Sequence, residues 1–190
     1  MPEPPPEPPA LVWAAPPAEV RAATPVAHAL AMFSVVRGAE AWLYPEPFAD
    51  FGSRALALRW RETVTRPPLF DPKRRAFEWD GDPWTINVIG HGLMGSELYA
   101  RARACSFGWA GSLAFAAGAS AVWEYAFEGN GVRPSALDLV YTPLAGFALG
   151  EARFQLYRVA QRLEGPTARF AVRTLVDPFG ELERALGARC

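Results

Sequence analysis

The residues of this chain that could do chemistry lie in an apolar region between positions 87 and 151. His91 stands between two glycines in the segment GHGLMGSELYARAR (90–103). An imidazole can take up a proton near neutral pH, and a carboxylate can orient it. His91 could therefore act as a general base together with Glu124 and Asp138. These three residues are the candidate catalytic residues.

The sequence does not select a nucleophile for this base. Ser96, Ser120 and Ser135 are all candidates, and no G-x-S-x-G elbow is present. His91 with carboxylates could also bind a hard cation. However, the paired Glu-x-x-His motifs of di-iron bundles and the H-E-x-x-H motif are absent. We therefore predict no bound metal and no cofactor.

The alternative role for these residues is a buried polar seam that holds helices in register. A buried carboxylate is costly unless it is paired. Glu124 could pair with Arg101 or Arg103, and His91 with Asp138 or with the asparagine one helical turn before it. The sequence favours this structural interpretation over catalysis. The predicted seam and binding residues are Asn87, His91, Tyr99, Arg103, Ser120, Trp123, Glu124, Glu128, Ser135, Asp138 and Glu151.

Helices are predicted to position these residues. Thr24-Pro25 and Asp82-Pro83 each offer an N-cap residue followed by proline at the first helical position. The second of these helices carries segment 90–103 and should end near 105–108, and Ser135 can cap a short helix. We predict a mainly α fold, a compact bundle of about five or six helices with Gly/Ala-rich central helices.

Residues 55–80 are predicted to differ from the rest of the chain. Leu56, Leu58, Trp60 and Val64 alternate with other residues, and a period of two is typical of a strand. We therefore expect a short β-hairpin near 55–80. Arginines interleaved with Trp60 and Phe70 suit lipid head groups or, equally, a solvated face.

The segment from Ala104 to Trp123 is about 20 residues long without a charge, the length that spans a hydrocarbon core. Small residues at i, i+4 spacing would let another helix approach closely. A membrane span and a buried central helix both remain open, and the small-residue stripe could also join copies in a homo-oligomer. The stripe is Gly108, Ser112, Ala116 and Ser120.

Length and charge set further bounds. A chain of 190 residues predicts a single domain, here residues 21–190. Residues 1–20 form a Pro-rich tail or tether that prefers extended structure and lacks the pattern of a signal peptide, unless one was trimmed. The net charge of −1 argues against nucleic-acid binding. Cys105 and Cys190 predict no disulfide framework, and Cys105 reads as a buried, inert thiol.

Four ordered motifs resemble the bacterial DUF3943 family. Its pattern is roughly N-x-x-x-H-P-x-x-G-x-x-Y-x-x-A-R, S-x-x-W-E-Y-x-x-E, P-S-x-x-D-L and T-P-x-x-G-x-x-x-G-E. The similarity runs from about Trp79 to Leu163, and Gly92 replaces the proline that many members carry after the histidine. The matching residues are Asn87, His91, Gly95, Tyr99, Ala102, Arg103, Ser120, Trp123, Glu124, Tyr125, Glu128, Pro134, Ser135, Asp138, Leu139, Thr142, Pro143, Gly146, Gly150 and Glu151.

The resemblance implies a bacterial envelope protein that is associated with a membrane, and it implies no reaction. A more distant similarity of pattern links the chain to YfiM-like lipoproteins and VanZ-like membrane proteins. We expect an inner- or outer-membrane-associated protein that is structural or binds a lipid or another envelope protein. The alternatives are a membrane-proximal hydrolase or transferase acting on a lipid or cell-wall substrate, and a soluble helical domain that binds a ligand.

Overall fold

The computed structural model describes residues 20–50, 52–129, 131–188 and 190. Apart from one isolated bridge between Leu69 and Ser135, the regular structure of this part is helical, which confirms the predicted fold class. The predicted tail over 1–20 lies, except for Val20, outside the described residues. The helices are α1 (Ala23–Leu43), α2 (Pro45–Phe48), α3 (Ser53–Thr65), α4 (His91–Ala104), α5 (Trp109–Val122), α6 (Ala136–Ala145), α7 (Glu151–Ala160), α8 (Pro166–Val176) and α9 (Pro178–Ala185).

Three π-helical segments extend these helices. They are π1 (Thr85–Gly90), which leads into α4, π2 (Trp123–Phe127), which continues α5, and π3 (Gly146–Gly150), which joins α6 to α7. The chain therefore runs as one helix from Ala136 to Ala160. π turns are rare overall, but many of those that occur lie at functional sites, because the extra residue changes the face that the following side chains occupy.

Helix α4 lies at the centre of the fold. Most of its residues are buried, including polar ones, and it packs against α1, α5, α6, π3 and α7. Leu98 and Tyr99 of α4 join Phe33, Ala116 and Trp123 in the hydrophobic core. The ring centroids of Phe33 and Trp123 are 5.3 Å apart. A central helix with so many buried polar residues must find partners for them within the protein.

The uncharged segment forms α5, and its small-residue stripe faces inward. Ser112, Ala116 and Ser120 are buried, and α5 packs against α4 and α6. None of the helices in the described ranges is both long enough and apolar enough to cross a membrane. The stripe thus makes a contact within the chain, and joining two copies through it would require these helices to separate.

The predicted hairpin near 55–80 is wrong. Residues Ser53–Thr65 form a helix, whose more buried face includes Leu56, Arg59 and Thr63 at helical spacing. Leu58, Trp60 and Val64, three of the four residues of the alternating pattern, are exposed instead. Alanine, leucine, arginine and glutamate all favour helix, and that propensity prevails over the chance alternation.

A disulfide joins Cys105 to Cys190, which corrects the prediction of a free thiol at Cys105. The two Cα atoms are 4.7 Å apart. The backbone N–H of Arg21 also donates to the carbonyl oxygen of Cys105, at 3.1 Å. The first described residues and the last residue of the chain therefore meet at the C-terminal end of α4. A separation of 85 residues hid this pairing from local pattern analysis.

Candidate functional site

His91, Glu124 and Asp138 come together inside the protein, and all three are buried. One nitrogen or oxygen atom from each lies within 4.8 Å of the others. His91 Nε2 is 3.6 Å from Asp138 Oδ2, so these two predicted partners lie side by side. His91 begins α4, Glu124 lies in π2 and Asp138 lies in the first turn of α6. We call these three residues the His91 site.

Ser135 ties π2 to the start of α6. Its hydroxyl accepts the backbone N–H of Asp138 at 3.1 Å, which is the N-cap bond predicted from the sequence. Its own N–H donates to Glu124 Oε2 at 2.7 Å. Its hydroxyl also makes a short contact with Asp80. The cap of α6 therefore places Glu124 and Asp138 on the same side of α4.

Glycines bring α6 and π3 against α4. A Cβ built on Gly95 would lie 2.0 Å from the carbonyl oxygen of Thr142. One built on Gly146 would lie 2.6 Å from the carbonyl oxygen of Gly95. Only residues without a side chain allow this backbone approach. The contact sets Thr142 Oγ1 3.0 Å from His91 Nδ1.

Three polar atoms around the His91 site have no hydrogen-bond partner among the described residues. They are Glu124 Oε1, Asp138 Oδ1 and Asn87 Oδ1. Glu124 and Asp138 are each 1% exposed. No arginine or lysine of the described ranges comes within 4.0 Å of either carboxylate. The other buried carboxylates there, those of Glu97, Glu151 and Asp177, each have an arginine partner. Buried polar atoms left in this way cost free energy.

Burial shifts the pKa values of the His91 site strongly. Loss of hydration raises the pKa of Glu124 to about 8 and that of Asp138 to about 9, and neighbouring carboxylates add to both shifts. Loss of hydration lowers the pKa of His91 to about 4, so its ring is neutral at neutral pH. The site therefore holds two carboxyl groups and an imidazole that resist charging.

Four more carboxyl groups surround the site. Burial raises the pKa of Glu40 to about 7 and that of Glu128 well above its ordinary value. Burial also raises the pKa of Asp82. Asp80 differs: against the effect of burial, hydrogen bonds from Ser135 and Asn87 lower its pKa. We call the whole group the carboxylate cluster: Glu40, Asp80, Asp82, Glu124, Glu128 and Asp138.

Other predicted seam residues lie in a separate set of contacts. Tyr99 Oη donates to Glu151 Oε2 at 2.8 Å, and Arg103 Nε donates to the same oxygen at 2.8 Å. The predicted pairing of Glu124 with Arg103 is therefore wrong. The structure brings Asn87, His91, Glu124, Ser135 and Asp138 into one neighbourhood and leaves Tyr99, Arg103 and Glu151 in another.

The predicted alternative partner of Glu124, Arg101, belongs to a third set of contacts. Arg101 is 2% exposed and pairs with Glu97 as the i, i+4 spacing indicates, at 3.2 Å. It also pairs with Asp177 at 2.9 Å and Glu183 at 3.2 Å, partners that lie far along the chain and were missed. The only local signal was Asp177-Pro178, since Asp177 caps α9. This arginine network is Arg101, Arg153, Arg184, Glu97, Asp177 and Glu183.

The three candidate nucleophiles have hydrogen bonds elsewhere. Ser96 Oγ accepts from Arg153 at 3.0 Å, and Ser120 Oγ donates to the carbonyl oxygen of Asp138 at 3.2 Å. Ser135 caps α6. In the described part of the chain the hydroxyl bonded to His91 is that of Thr142, so a serine–histidine–aspartate relay is not formed.

A cleft of about 900 Å³ opens beside the His91 site. Residues of α1, of π1 and α4, and of α8 and α9 line it, and most of them are apolar. His91, Trp123 and Glu128 also line it, so the cleft leads to the carboxylate cluster. An apolar cleft with a few convergent polar groups is the usual form of a ligand site, and this volume lies within the usual range of about 300–1,000 Å³.

A family model described as a domain of unknown function, DUF3943, matches residues 76–179, more than half of the chain. The chain belongs to the DUF3943 family. No curated protein and no solved structure matches it. The DUF3943 region contains His91, Glu124 and Asp138 together with π1, π2 and π3. Helix α1, which forms part of the cleft, lies outside that region.

Proposed function

We propose that this DUF3943 protein is a membrane-associated envelope protein that binds the apolar chain of a lipid in the cleft beside His91. The observation that carries this proposal is the cleft itself. It is large enough for a small-molecule ligand, and most of its surface is apolar. A ligand that is long and apolar would use that surface better than a compact polar one.

Large apolar side chains at the cleft are exposed to water. Leu43 is 59% exposed, Leu93 61%, Leu175 84% and Phe179 53%. Covering apolar surface is worth roughly 25 cal/mol for each Å² removed from water. Exposed apolar surface that is grouped around a concave site indicates a binding surface rather than scattered surface residues.

Polar groups at the same cleft would face the polar end of the lipid. Glu97 and Arg153 line it near α7, and His91 and Glu128 line it near π2. Arg153 is paired with Glu97 at 2.7 Å, so this arginine is held in place. Such an arrangement orients an amphiphile with its apolar chain between α1 and α4.

The disulfide supports the envelope location in this proposal. Disulfides such as Cys105–Cys190 persist in oxidising compartments, including the bacterial periplasm, and are rare in the cytosol. A membrane lipid is available as a ligand in that location. Fractionation of native cells with and without detergent tests membrane association directly, and full recovery without detergent would contradict that part of the proposal.

Substitution of Leu93 by arginine tests the lipid site. Leu93 is exposed, so Leu93→Arg should fold normally, yet it puts a charge on the wall of the cleft. We expect the amount of co-purified lipid, measured by mass spectrometry, and the affinity for a fluorescent fatty acid to fall at least tenfold.

Leu156→Arg is the matched control. Leu156 is 55% exposed on α7 and is not among the residues that line the cleft. This variant should bind the fatty acid like the unmodified protein. Equal binding by both variants, or no lipid with any of the three proteins, would reject the lipid site and favour a protein partner.

A further inference from the structure

We propose that His91, Glu124 and Asp138 bind one divalent transition-metal ion. This inference does not depend on lipid binding, since it rests on the side chains beneath the cleft rather than on the apolar walls. It also revises the expectation, drawn from missing sequence motifs, that the protein binds no metal.

The geometry suits a metal ion. The three ligand atoms lie within 4.8 Å of one another. Two ligands at about 2.1 Å from an ion are about 3.4 Å apart in a tetrahedral site. His91 Nε2 and Asp138 Oδ2, 3.6 Å apart, are already near that separation, so a side-chain shift of about 1 Å would bring all three ligands into range. Each ligand comes from a different helical segment: π1 ends just before His91, and Glu124 lies within π2. An ion here would cross-link α4, π2 and α6.

Unpaired oxygen atoms are the second observation. Glu124 Oε1 and Asp138 Oδ1 are buried and have no hydrogen-bond partner among the described residues. Asn87 Oδ1 belongs to a fully buried residue and likewise has no hydrogen-bond partner among the described residues. Buried carboxylate oxygens are normally paired or coordinate a metal. Coordination of Glu124 and Asp138 would satisfy two of these three atoms.

The charges around the site differ from those elsewhere in the protein. Glu97 and Glu151, the other buried glutamates of α4 and α7, have arginine partners at 2.7–3.2 Å. Glu124 and Asp138 have none within 4.0 Å in the part of the chain that the structure describes, where Asp138 instead lies 3.6 Å from His91. A divalent cation would supply the missing positive charge.

The surrounding hydrogen bonds already orient the ligands. Thr142 Oγ1 lies 3.0 Å from His91 Nδ1, so a proton on Nδ1 can be donated to it and Nε2 is left to coordinate. The N–H of Ser135 holds Glu124 Oε2 and leaves Oε1 for the ion. Hydrogen bonds of this kind fix the ring and the carboxylate before the metal arrives.

The donors define the class of metal, and the cleft gives it a path. One imidazole nitrogen with carboxylate oxygens suits Zn²⁺, Mn²⁺ or Fe²⁺ better than Mg²⁺ or Ca²⁺, which prefer oxygen donors alone. His91 lines the cleft, so an ion can reach the site from that side. The site therefore offers suitable ligands, hydrogen bonds that orient them, and a path by which the ion can enter.

Titration of the full chain with Zn²⁺ and with Mn²⁺, after removal of metals by a chelator, tests the proposal. Calorimetry should show one equivalent bound to each chain, and the melting temperature should rise with the metal concentration. Glu124→Gln and Asp138→Asn keep the side-chain shape and should weaken binding by about 100-fold or more. Thr142→Val should weaken it by roughly 10–100-fold through loss of the bond to His91.

Glu151→Gln is the matched control. It also neutralises a buried glutamate of the same domain, but one bonded to Tyr99 and Arg103 rather than to the His91 site. It should lose stability and keep metal affinity, with circular dichroism confirming that each variant is folded. Absence of binding, or affinity unchanged in Glu124→Gln and Asp138→Asn, would overturn the proposal. Equal affinity for Mg²⁺ would overturn the role of His91.

Discussion

Two buried glutamates of this protein have opposite surroundings. Glu151 receives hydrogen bonds from Tyr99 and Arg103, and these keep its pKa below the ordinary value although burial opposes them. Glu124 receives one backbone N–H, and burial raises its pKa to about 8. The same residue type is therefore a charged structural partner in one place and a group held near neutrality in the other.

The stability of the metal-free protein should fall as the pH rises from 6.5 to 9. Glu124 and Asp138 have pKa values of about 8 and about 9 in the folded chain, above their unfolded values. The folded state therefore binds more protons than the unfolded state in this range, and stability decreases with pH. The pKa of His91 is lowered to about 4, so its ring is neutral in this range and affects the pH dependence of stability only at lower pH. Urea unfolding with a chelator present measures the slope.

Glu124→Gln should flatten that slope, because glutamine does not titrate. The reverse result, a stability that rises between pH 6.5 and 9 or a slope unchanged in the variant, would show that these carboxyl groups are charged in the folded protein.

Several contacts of these residues could be predicted from local spacing. The Glu97–Arg101 pair follows from helical spacing, and the Ser135 cap follows from its position before an apolar helix. The predicted pairing of Glu124 with Arg101 failed because of distance along α4. Arg101 lies ten residues after His91, about 15 Å further along the helix axis, whereas Glu124 lies beside His91.

At the scale of elements, the contact between α4 and α6 depends on Gly95. Gly95→Ala would place a methyl group 2.0 Å from the Thr142 carbonyl oxygen, which is backbone and cannot rotate away. Overpacking of a core typically costs about 1–3 kcal/mol. Because the backbone oxygen cannot move aside, we expect the unfolding free energy to fall by about 2–3 kcal/mol, the upper part of that range. Denaturant unfolding measures the loss.

Gly118→Ala serves as the control for that substitution. Gly118 lies in α5 with nothing within 4 Å of its would-be Cβ. Alanine there should stabilise the helix by up to about 1 kcal/mol. If the two variants lose stability equally, the glycines matter for helix flexibility and not for the close approach of α4 and α6.

The elements themselves were only partly predictable. The Ser135 cap located α6 because that signal is local. The predicted Asp82 cap was wrong, since π1, which leads into α4, begins after Trp84 without a side-chain cap. The β-hairpin predicted near 55–80 was wrong because Leu58, Trp60 and Val64, taken as the apolar face of a strand, are exposed on α3. The π segments had no signal in the sequence, since the extra residue in each turn is set by packing between helices.

At the scale of the whole molecule, the disulfide closes a loop that contains every helix from α5 onward. Cys190→Ser should lower the unfolding free energy by about 4 kcal/mol, because a separation of 85 residues leaves the unfolded chain much freer. Urea unfolding of both proteins gives the difference. Reductant should weaken the unmodified protein to a similar extent and leave Cys190→Ser unchanged. If both proteins have similar stability with and without reductant, the disulfide contributes little.

The helical class of the fold could be predicted from caps and composition, and the DUF3943 family from ordered motifs. The residues that contact α4 from far along the chain could not be predicted. Asp177, Glu183 and Cys190 join α4 from 75 or more residues away, and one sequence alone carries no distance information of that kind.

The meeting of Arg21 and Cys190 at Cys105 has a practical consequence for handling the protein. Helix α4 spans 14 residues between His91 and this corner, a rise of about 20 Å. A fused domain or an immobilising support joined beside either residue would leave from that corner. Attached in this way, the protein would keep the His91 site a full helix length from the support.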